Sequence, residues 1–263
     1  MDRNKFSAIA HRNHAFSNPI SEKKIMKMLD IVSPKASDKV IDIGAGKCEL
    51  LIRLVENYKV SATAIELYEG AIEEAKRKAS SRIPEGRIEF IVDDATSAIE
   101  RYEEDGYDFG ICIGSTHALG GLEPTLQTLK RLVKKNGYIL IGEGYWKQTP
   151  SPEYLEALGG ADESECKTHA DTVKAGEELG LIPLWSYVAN DDDWDDYEWL
   201  YSMSIENYCL ENPDDPDCDA MLERIRTWRR TYLTWGRDTL GFGLYLYRNN
   251  NNNNNNHNKN NIK

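Results

Sequence analysis

The stretch Val40-Ile41-Asp42-Ile43-Gly44-Ala45-Gly46-Lys47-Cys48-Glu49 constrains the fold more than any other part of the chain. A short buried-strand pattern, beginning at Lys39, runs straight into a glycine turn, and Leu50, Leu51, Leu54 and Val55 then recur at helical spacing. Strand, glycine turn and helix form one unit, and the unit repeats. Further strands are expected at 61–65, 88–92, 109–113 and 138–141. Helices are expected at 70–79, 95–102 and 122–133, the last closed by a C-cap signal at Asn136-Gly137. An earlier helix, with Ile25, Met28, Leu29 and Val32 on one face, stops at Pro34. Such alternation predicts an α/β, Rossmann-like fold: a mostly parallel sheet with helices on both faces.

The last third reads differently. An amphipathic helix over 168–179 leads into a sixth strand at 181–188, and 240–247 reads as a seventh. Between them lies an acidic, aromatic insertion, 189–239, expected to be helical over 197–208 and 220–233. Trp185, Trp194, Trp199, Trp228 and Trp235 fall in or beside it. They either line a pocket for a flat or apolar ligand or pack the insertion onto the sheet.

Charge narrows the class of partner. Lys plus Arg number 32 against 44 Asp plus Glu, a net charge of −12, and the acid is concentrated in 191–196 and 214–219. Such a balance repels phosphate backbones and anionic membranes, so the expected partner is a small molecule, with no nucleic acid and no membrane. The protein is expected to be a monomer or a homodimer. No apolar run approaches the roughly 18 residues of a membrane helix, and 1–10 carries charge where a signal peptide needs its apolar stretch. Cys48, Cys112, Cys166, Cys209 and Cys218 are scattered without a Cys-x-x-Cys pair, which suits reduced thiols in the cytoplasm. From 249 to 263 the chain is almost entirely asparagine and is expected to be a disordered tail.

The glycine turn also carries the chemistry. It lets a ligand approach the backbone at the carboxyl end of a strand, where open α/β sheets bind their ligands. A dinucleotide fingerprint needs a third glycine at position 49; Glu49 stands there, and its carboxylate is expected to oppose a pyrophosphate. The P-loop pattern fails too, because Lys47 is not followed by Ser or Thr. An adenosine-like ligand without phosphate fits better. Glu66, about 20 residues past the turn, can accept hydrogen bonds from ribose hydroxyls, and Asp93-Asp94 can receive an adenine amino group. Acids at strand ends also serve as N-caps of the following helix, and each carries that second reading.

With its aliphatic strand ending in Asp-x-Gly-x-Gly, the sequence resembles the class I S-adenosylmethionine-dependent methyltransferases over about 39–144 and in its two late strands. The resemblance implies a seven-stranded sheet with the last strand antiparallel, and S-adenosyl-L-methionine as cofactor. It implies that Asp42, Gly44, Ala45 and Gly46 cradle the methionine part, that Glu66 binds the ribose, and that Asp94 with Ala95 meets the adenine. Ile113-Gly114-Ser115 would pass beside the sulfonium. Where the family often has a further glycine, this chain has Cys48. A closer resemblance, to the small bacterial YjhP-type methyltransferases, runs through His11-Arg12, Asn18-Pro19-Ile20, Gly114-Ser115-Thr116, Gly120-Gly121, Gly142-Glu143-Gly144-Tyr145-Trp146, the block from Asp193 to Glu198, Thr231-Tyr232 and Gly241-Phe242-Gly243.

Methyl transfer to a hydroxyl or thiol needs a base near the fourth or fifth strand. His117 is the candidate, with Glu143 and Tyr145, after the fifth strand, placed to orient an acceptor; a hydrogen-bonded loop role for His117 and a capping role for Glu143 are the plain alternatives. His11 and His14 lie on a segment, 1–24, that could fold over the cofactor as a lid, with 25–248 as the methyltransferase domain and 39–146 as its cofactor-binding core. The fourth strand is not followed by the Asn/Asp-Pro-Pro-aromatic sequence of enzymes that methylate nucleic-acid amino groups. No paired glutamates suggest an arginine acceptor, and no metal site is expected. The expected function is therefore methyl transfer to a small molecule. A non-catalytic S-adenosylmethionine-binding module and a nicotinamide-dependent oxidoreductase are the alternatives.

Overall fold

A computed structural model of the chain describes residues 1–250. Its strands are β1 (Lys39–Ile43), β2 (Ser61–Glu66), β3 (Ile88–Val92), β4 (Tyr107–Ile113), β5 (Val133–Trp146), β6 (Lys167–Thr168), β7 (Ile182–Val188) and β8 (Leu240–Arg248). The sheet order is β3-β2-β1-β4-β5-β8-β7, with the two-residue β6 added against the end of β5. Strands β1 to β5 are parallel, and β8 runs antiparallel to both β5 and β7. The seven expected strands are all present, with β6 as an eighth.

Helices α1 (Arg3–Ala10), α2 (Glu22–Val32), α3 (Glu49–Tyr58), α4 (Glu69–Ser80), α5 (Ala95–Ile99), α6 (Leu122–Leu132), α7 (Pro152–Ala157), α8 (His169–Glu178), α9 (Asp191–Glu211) and α10 (Cys218–Thr231) surround it. Side chains of α2, α3 and α4 bury one face of the sheet, among them Met28, Leu51 and Ile72 against Val40, Ala62 and Ile111. Those of α5, α6 and α8 bury the other, with Leu126, Leu129 and Ala175 against Ile41, Ile139 and Ile141. Alternation along each strand divides the two cores. A third, smaller core joins α1 to α9 and α10 through Phe6, Ile205, Met221 and Ile225.

Three expectations are corrected. The helix expected at 122–133 ends at Leu132 and passes directly into β5, so Asn136-Gly137 is no helix cap. Asn136 holds φ +62° inside a bulge, where β5 gains residues against β4 between the pairs Tyr107–Val133 and Phe109–Tyr138. The carbonyls at the end of α6 are satisfied instead by Asn249, whose Nδ2 donates to Lys130 O at 2.9 Å and Val133 O at 2.7 Å. Asn249 is fully buried and belongs to the fold, although the composition assigns it to the tail; residues 251–263 lie outside the described residues. Lastly, α9 starts six residues before position 197. Asn190 and Asp193 close a capping box there, and the acids at 191–193 suit the positive end of the helix dipole.

The acidic runs prove to be anchors. Asp193 holds Lys24, Asp191 and Asp195 hold Arg237, and Asp215 and Asp217 hold Lys5 at 2.8 and 2.9 Å. The Lys5 and Lys24 pairs fasten the N-terminal segment to the insertion, and the Arg237 pairs brace the insertion itself. No helix among the described residues is long and apolar enough to cross a membrane.

Candidate active site

The strand order reverses between β1 and β4, and the crevice outside their carboxyl ends holds the candidate site. Asp42, on β1, is only 5% exposed. Burial and the Glu66 carboxylate hold its pKa well above the usual carboxylate range, and no donor among the described residues offsets them. An acid buried in this way either holds its own proton or takes a donor or cation from a ligand. Gly44 and Gly46 follow at φ +73° and +53°, and Cys48 holds φ +55°, the conformation a further glycine would supply. The Gly46 N–H donates to Glu66 Oε2 and the Tyr68 N–H to Glu66 Oε1, each at 2.9 Å. Glu66 thereby ties the turn to the end of β2, while each oxygen keeps lone-pair capacity for a further donor.

The two glycines do different things. A Cβ on Gly46 would meet nothing within 4 Å, so this part of the turn is open to a ligand. A Cβ on Gly44 would run into the side chain of Ser115, which makes Gly44 a packing requirement between the ends of β1 and β4. Glu49 is not aimed at a ligand. It lies between Arg53 Nε at 2.7 Å and the Arg82 guanidinium at 2.8 Å, neutralised as a strut from α3 to the end of α4. The repulsion expected of it towards a pyrophosphate is therefore absent.

A cleft of about 360 Å³ opens beside the turn, lined by Gly44, Glu66, Asp94, Ala95, Ser115 and His117 of the expected residues. Asp42, Ala45 and Gly46 stand beside it without lining it. Asp94 does act as an N-cap, its Oδ1 accepting from Thr96 N at 3.0 Å and Ser97 N at 3.2 Å; Oδ2 has no such duty. Asn4 from α1 and Leu67, 69% exposed, also line the cleft. The sequence gives one signal for Leu67: an apolar residue directly after a strand-end acid.

The three residues expected to be catalytic part company. His117 sits exposed on the cleft rim, in the turn Thr116–Leu119. Glu143 and Tyr145 are within β5, not after it, and alternation sends them to the face of Ile139 and Ile141, under α6 and α8. Burial raises the Glu143 pKa against the opposing pull of Thr116 and His117 nearby, and its Oε2 is buried without a partner among the described residues. Tyr145 packs against His169, ring centroids 5.3 Å apart, and covers Gly241.

On the other face lies a second cavity, of about 230 Å³; Gly114 lines it, and the next residue, Ser115, lines the cleft. None of His117, Glu143 and Tyr145 lines it. Its walls are Tyr154 of α7, Trp194, Tyr197 and Glu198 of α9, Trp228 and Thr231 of α10, Tyr232 and Gly236 of the π-helical turn Tyr232–Gly236, and Leu240 and Phe242 of β8, with Ser17, Asn18 and Pro19 at one side. Of the insertion tryptophans, Trp194 and Trp228 thus line a cavity, Trp235 stacks on Tyr154, and Trp185 and Trp199 are half exposed. His11 and His14 are held by Tyr197, through its hydroxyl and its carbonyl at 3.0 Å each. Glu198 was not among the expected site residues, although the sequence marks it: it stands four residues after Trp194 and seven before Ile205, an acid on an otherwise apolar helical stripe.

Known proteins share this architecture. The chain is 26% identical to the Escherichia coli protein YjhP over 93% of its own length and 98% of that protein's. The X-ray structure of YjhP superposes with a TM-score of 0.83, covering 92% of this chain and 98% of that one. A methyltransferase from Thiobacillus denitrificans, crystallised with S-adenosyl-L-homocysteine, superposes at 0.84 with 24% identity, covering 94% and 99%. The fold is that of the S-adenosylmethionine-dependent methyltransferases. Over residues 34–200 the sequence matches the methyltransferase domain, and the chain belongs to that family.

Proposed function

We propose that this chain binds S-adenosyl-L-methionine in the cleft beside Gly46 and transfers its methyl group to a small-molecule acceptor in the adjoining cavity. The observation that carries the reading is the placement of two voids on either side of Gly114-Ser115, one lined by the acids Glu66, Asp93 and Asp94, the other walled by aromatic side chains. Asp42 fits the cofactor: it is a buried carboxyl with no protein donor, suited to the ammonium of the methionine part. Glu66 is positioned for the ribose hydroxyls, Asp94 Oδ2 for the adenine amino group, and the turn at Gly44, Ala45 and Gly46 for close backbone approach. When bound, the cofactor supplies a methyl group on a positively charged sulfur. The chain's own work is to align the acceptor in line and exclude water, since displacement at a methyl carbon depends on positioning. The aromatic walls and the 1–24 segment do both, as acceptor pocket and lid, while 39–146 holds the cofactor and 189–239 the acceptor. Five free cysteines suit a cytoplasmic setting.

Thermal unfolding with S-adenosylhomocysteine, with NAD as control, tests this. At about a hundred times its Kd a ligand stabilises by about 2.7 kcal/mol, a shift on the order of 5 to 10 °C for a domain of this size. A shift with S-adenosylhomocysteine alone is expected. A shift with NAD alone would establish the oxidoreductase, and no shift with either would end the methyltransferase reading.

A further inference from the structure

The cavity beyond Gly114 combines groups that do not satisfy one another. Glu198 is 6% exposed, yet the one hydrogen bond to its carboxylate comes from the neutral Trp228 Nε1, at 2.7 Å to Oε2. No cation is among the groups that set its ionisation: burial pushes its pKa up to about 7, and only the Trp228 bond pulls it down. Every other acid drawn into the packing around the insertion has a cation of its own, Asp193 with Lys24, Asp195 with Arg237 and Glu206 with Arg226 and Arg229. Trp194, on the same wall, is 7% exposed, and its indole N–H is buried with no acceptor among the described residues. Buried carboxylates are paired, and buried donors are bonded, unless something outside the chain completes them.

The remaining wall is aromatic. Tyr154, Tyr197, Trp228, Tyr232 and Phe242 face the same space, with Trp194 and Tyr232 stacked at 6.3 Å. Aromatic side chains gathered around one carboxylate suit an organic cation, because a ring face attracts positive charge and the carboxylate neutralises it. An anionic guest would be repelled, and a neutral alcohol would leave the carboxylate uncompensated. At about 230 Å³ the space lies below the range of drug-sized pockets, so the guest is small.

We infer that the methyl acceptor is a small molecule carrying a protonated amine, its ammonium held by the Glu198 carboxylate within the aromatic walls and an acceptor atom of its own taking the Trp194 N–H. The ammonium, which has no lone pair, is the handle. A separate nucleophilic atom of the same molecule takes the methyl group with its own electron pair as the methyl–sulfur bond breaks towards sulfur, shedding its proton to solvent. The inference deepens the methyltransferase reading and rests on it. Glu198 is here a binding group for the acceptor, distinct from the cofactor residues Asp42 and Glu66.

The test uses the full chain and three matched probes, benzylamine, benzyl alcohol and benzoate, titrated calorimetrically with S-adenosylhomocysteine present. Tryptophan fluorescence gives a second readout through Trp194 and Trp228. Benzylamine should bind at least about ten-fold more tightly than the alcohol, with benzoate weakest, the scale of one charge-assisted hydrogen bond. Glu198→Gln should remove that preference and leave S-adenosylhomocysteine binding unchanged, which also shows that the variant is folded. Equal binding of amine and alcohol, tighter binding of benzoate, no binding of any probe, or an amine preference that survives in Glu198→Gln overturns the inference. Loss of S-adenosylhomocysteine binding by the unmutated protein is a separate result, and it overturns the methyltransferase reading instead.

Discussion

Replacing Gly44 by alanine puts two separable stresses on the turn. Its φ of +73° lies in the left-handed region, which costs a residue with a Cβ roughly 1–2 kcal/mol. The new Cβ would also lie under 3.0 Å from both Cβ and Oγ of Ser115, and overpacking of this kind costs about 1–3 kcal/mol. Gly44→Ala should therefore lose about 2–5 kcal/mol in urea unfolding followed by far-UV circular dichroism, without any ligand. Ser115→Gly removes the obstructing atoms and a long 3.4 Å hydrogen bond to Gly44 O, at a modest cost of its own. In the double variant the steric part should be recovered and the backbone part should remain. A double-mutant cycle should then show a favourable coupling of about 1–3 kcal/mol between the two sites. Strict additivity, or a Gly44→Ala protein as stable as the parent, would show that Gly44 is retained for ligand approach alone.

Three further outcomes are expected. Glu66→Ala should weaken S-adenosylhomocysteine binding by about 1.5–3 kcal/mol in calorimetry, through lost charge-assisted hydrogen bonds and a loosened turn; an unchanged affinity removes Glu66 from the site. Asn249→Ala should destabilise the fold by about 1–3 kcal/mol, because two buried carbonyls at the end of α6 lose their donor, whereas a neutral result would mean water replaces the amide. Glu198, with its folded pKa raised to about 7, binds its proton more tightly in the native state, so the stability this provides is present at pH 4.5 and lost as pH rises towards 7. The shift corresponds to about 3 kcal/mol. Urea unfolding of Glu198→Gln against the parent from pH 5 to 8 isolates it from His11, whose pKa burial lowers to about 4 and whose effect has the opposite sign. Parallel profiles would contradict it.

How far the sequence could be read follows from which forces are local. Strand, glycine turn and helix at 39–55 rest on adjacent residues, and β1, α3 and the positive φ values at Gly44 and Gly46 appear where the pattern puts them. The end of α6 was illegible because its cap is supplied by Asn249, 119 residues from Lys130. Glu49 was misjudged for the same reason: position 49 opens a helix, but its partner Arg82 is 33 residues away. Glu143 and Tyr145 depend on which face of β5 is turned towards the insertion, and a strand that runs five residues further than expected, past 141, conceals that register. The aromatic-walled cavity draws on five separate stretches between Ser17 and Phe242, and no single spacing reveals it.

Apart from Gly114, every residue lining that cavity lies outside 39–146. Under the function proposed above, acceptor choice and cofactor use are therefore written in different parts of the chain. Under that proposal, substitutions in α7, α9 or α10 re-aim the protein at a new compound while the turn at Gly44, the Glu66 tie and the parallel strands continue undisturbed. For an engineer this separates the library from the chassis: randomising the insertion explores chemistry, and the sheet does not have to be rediscovered each time.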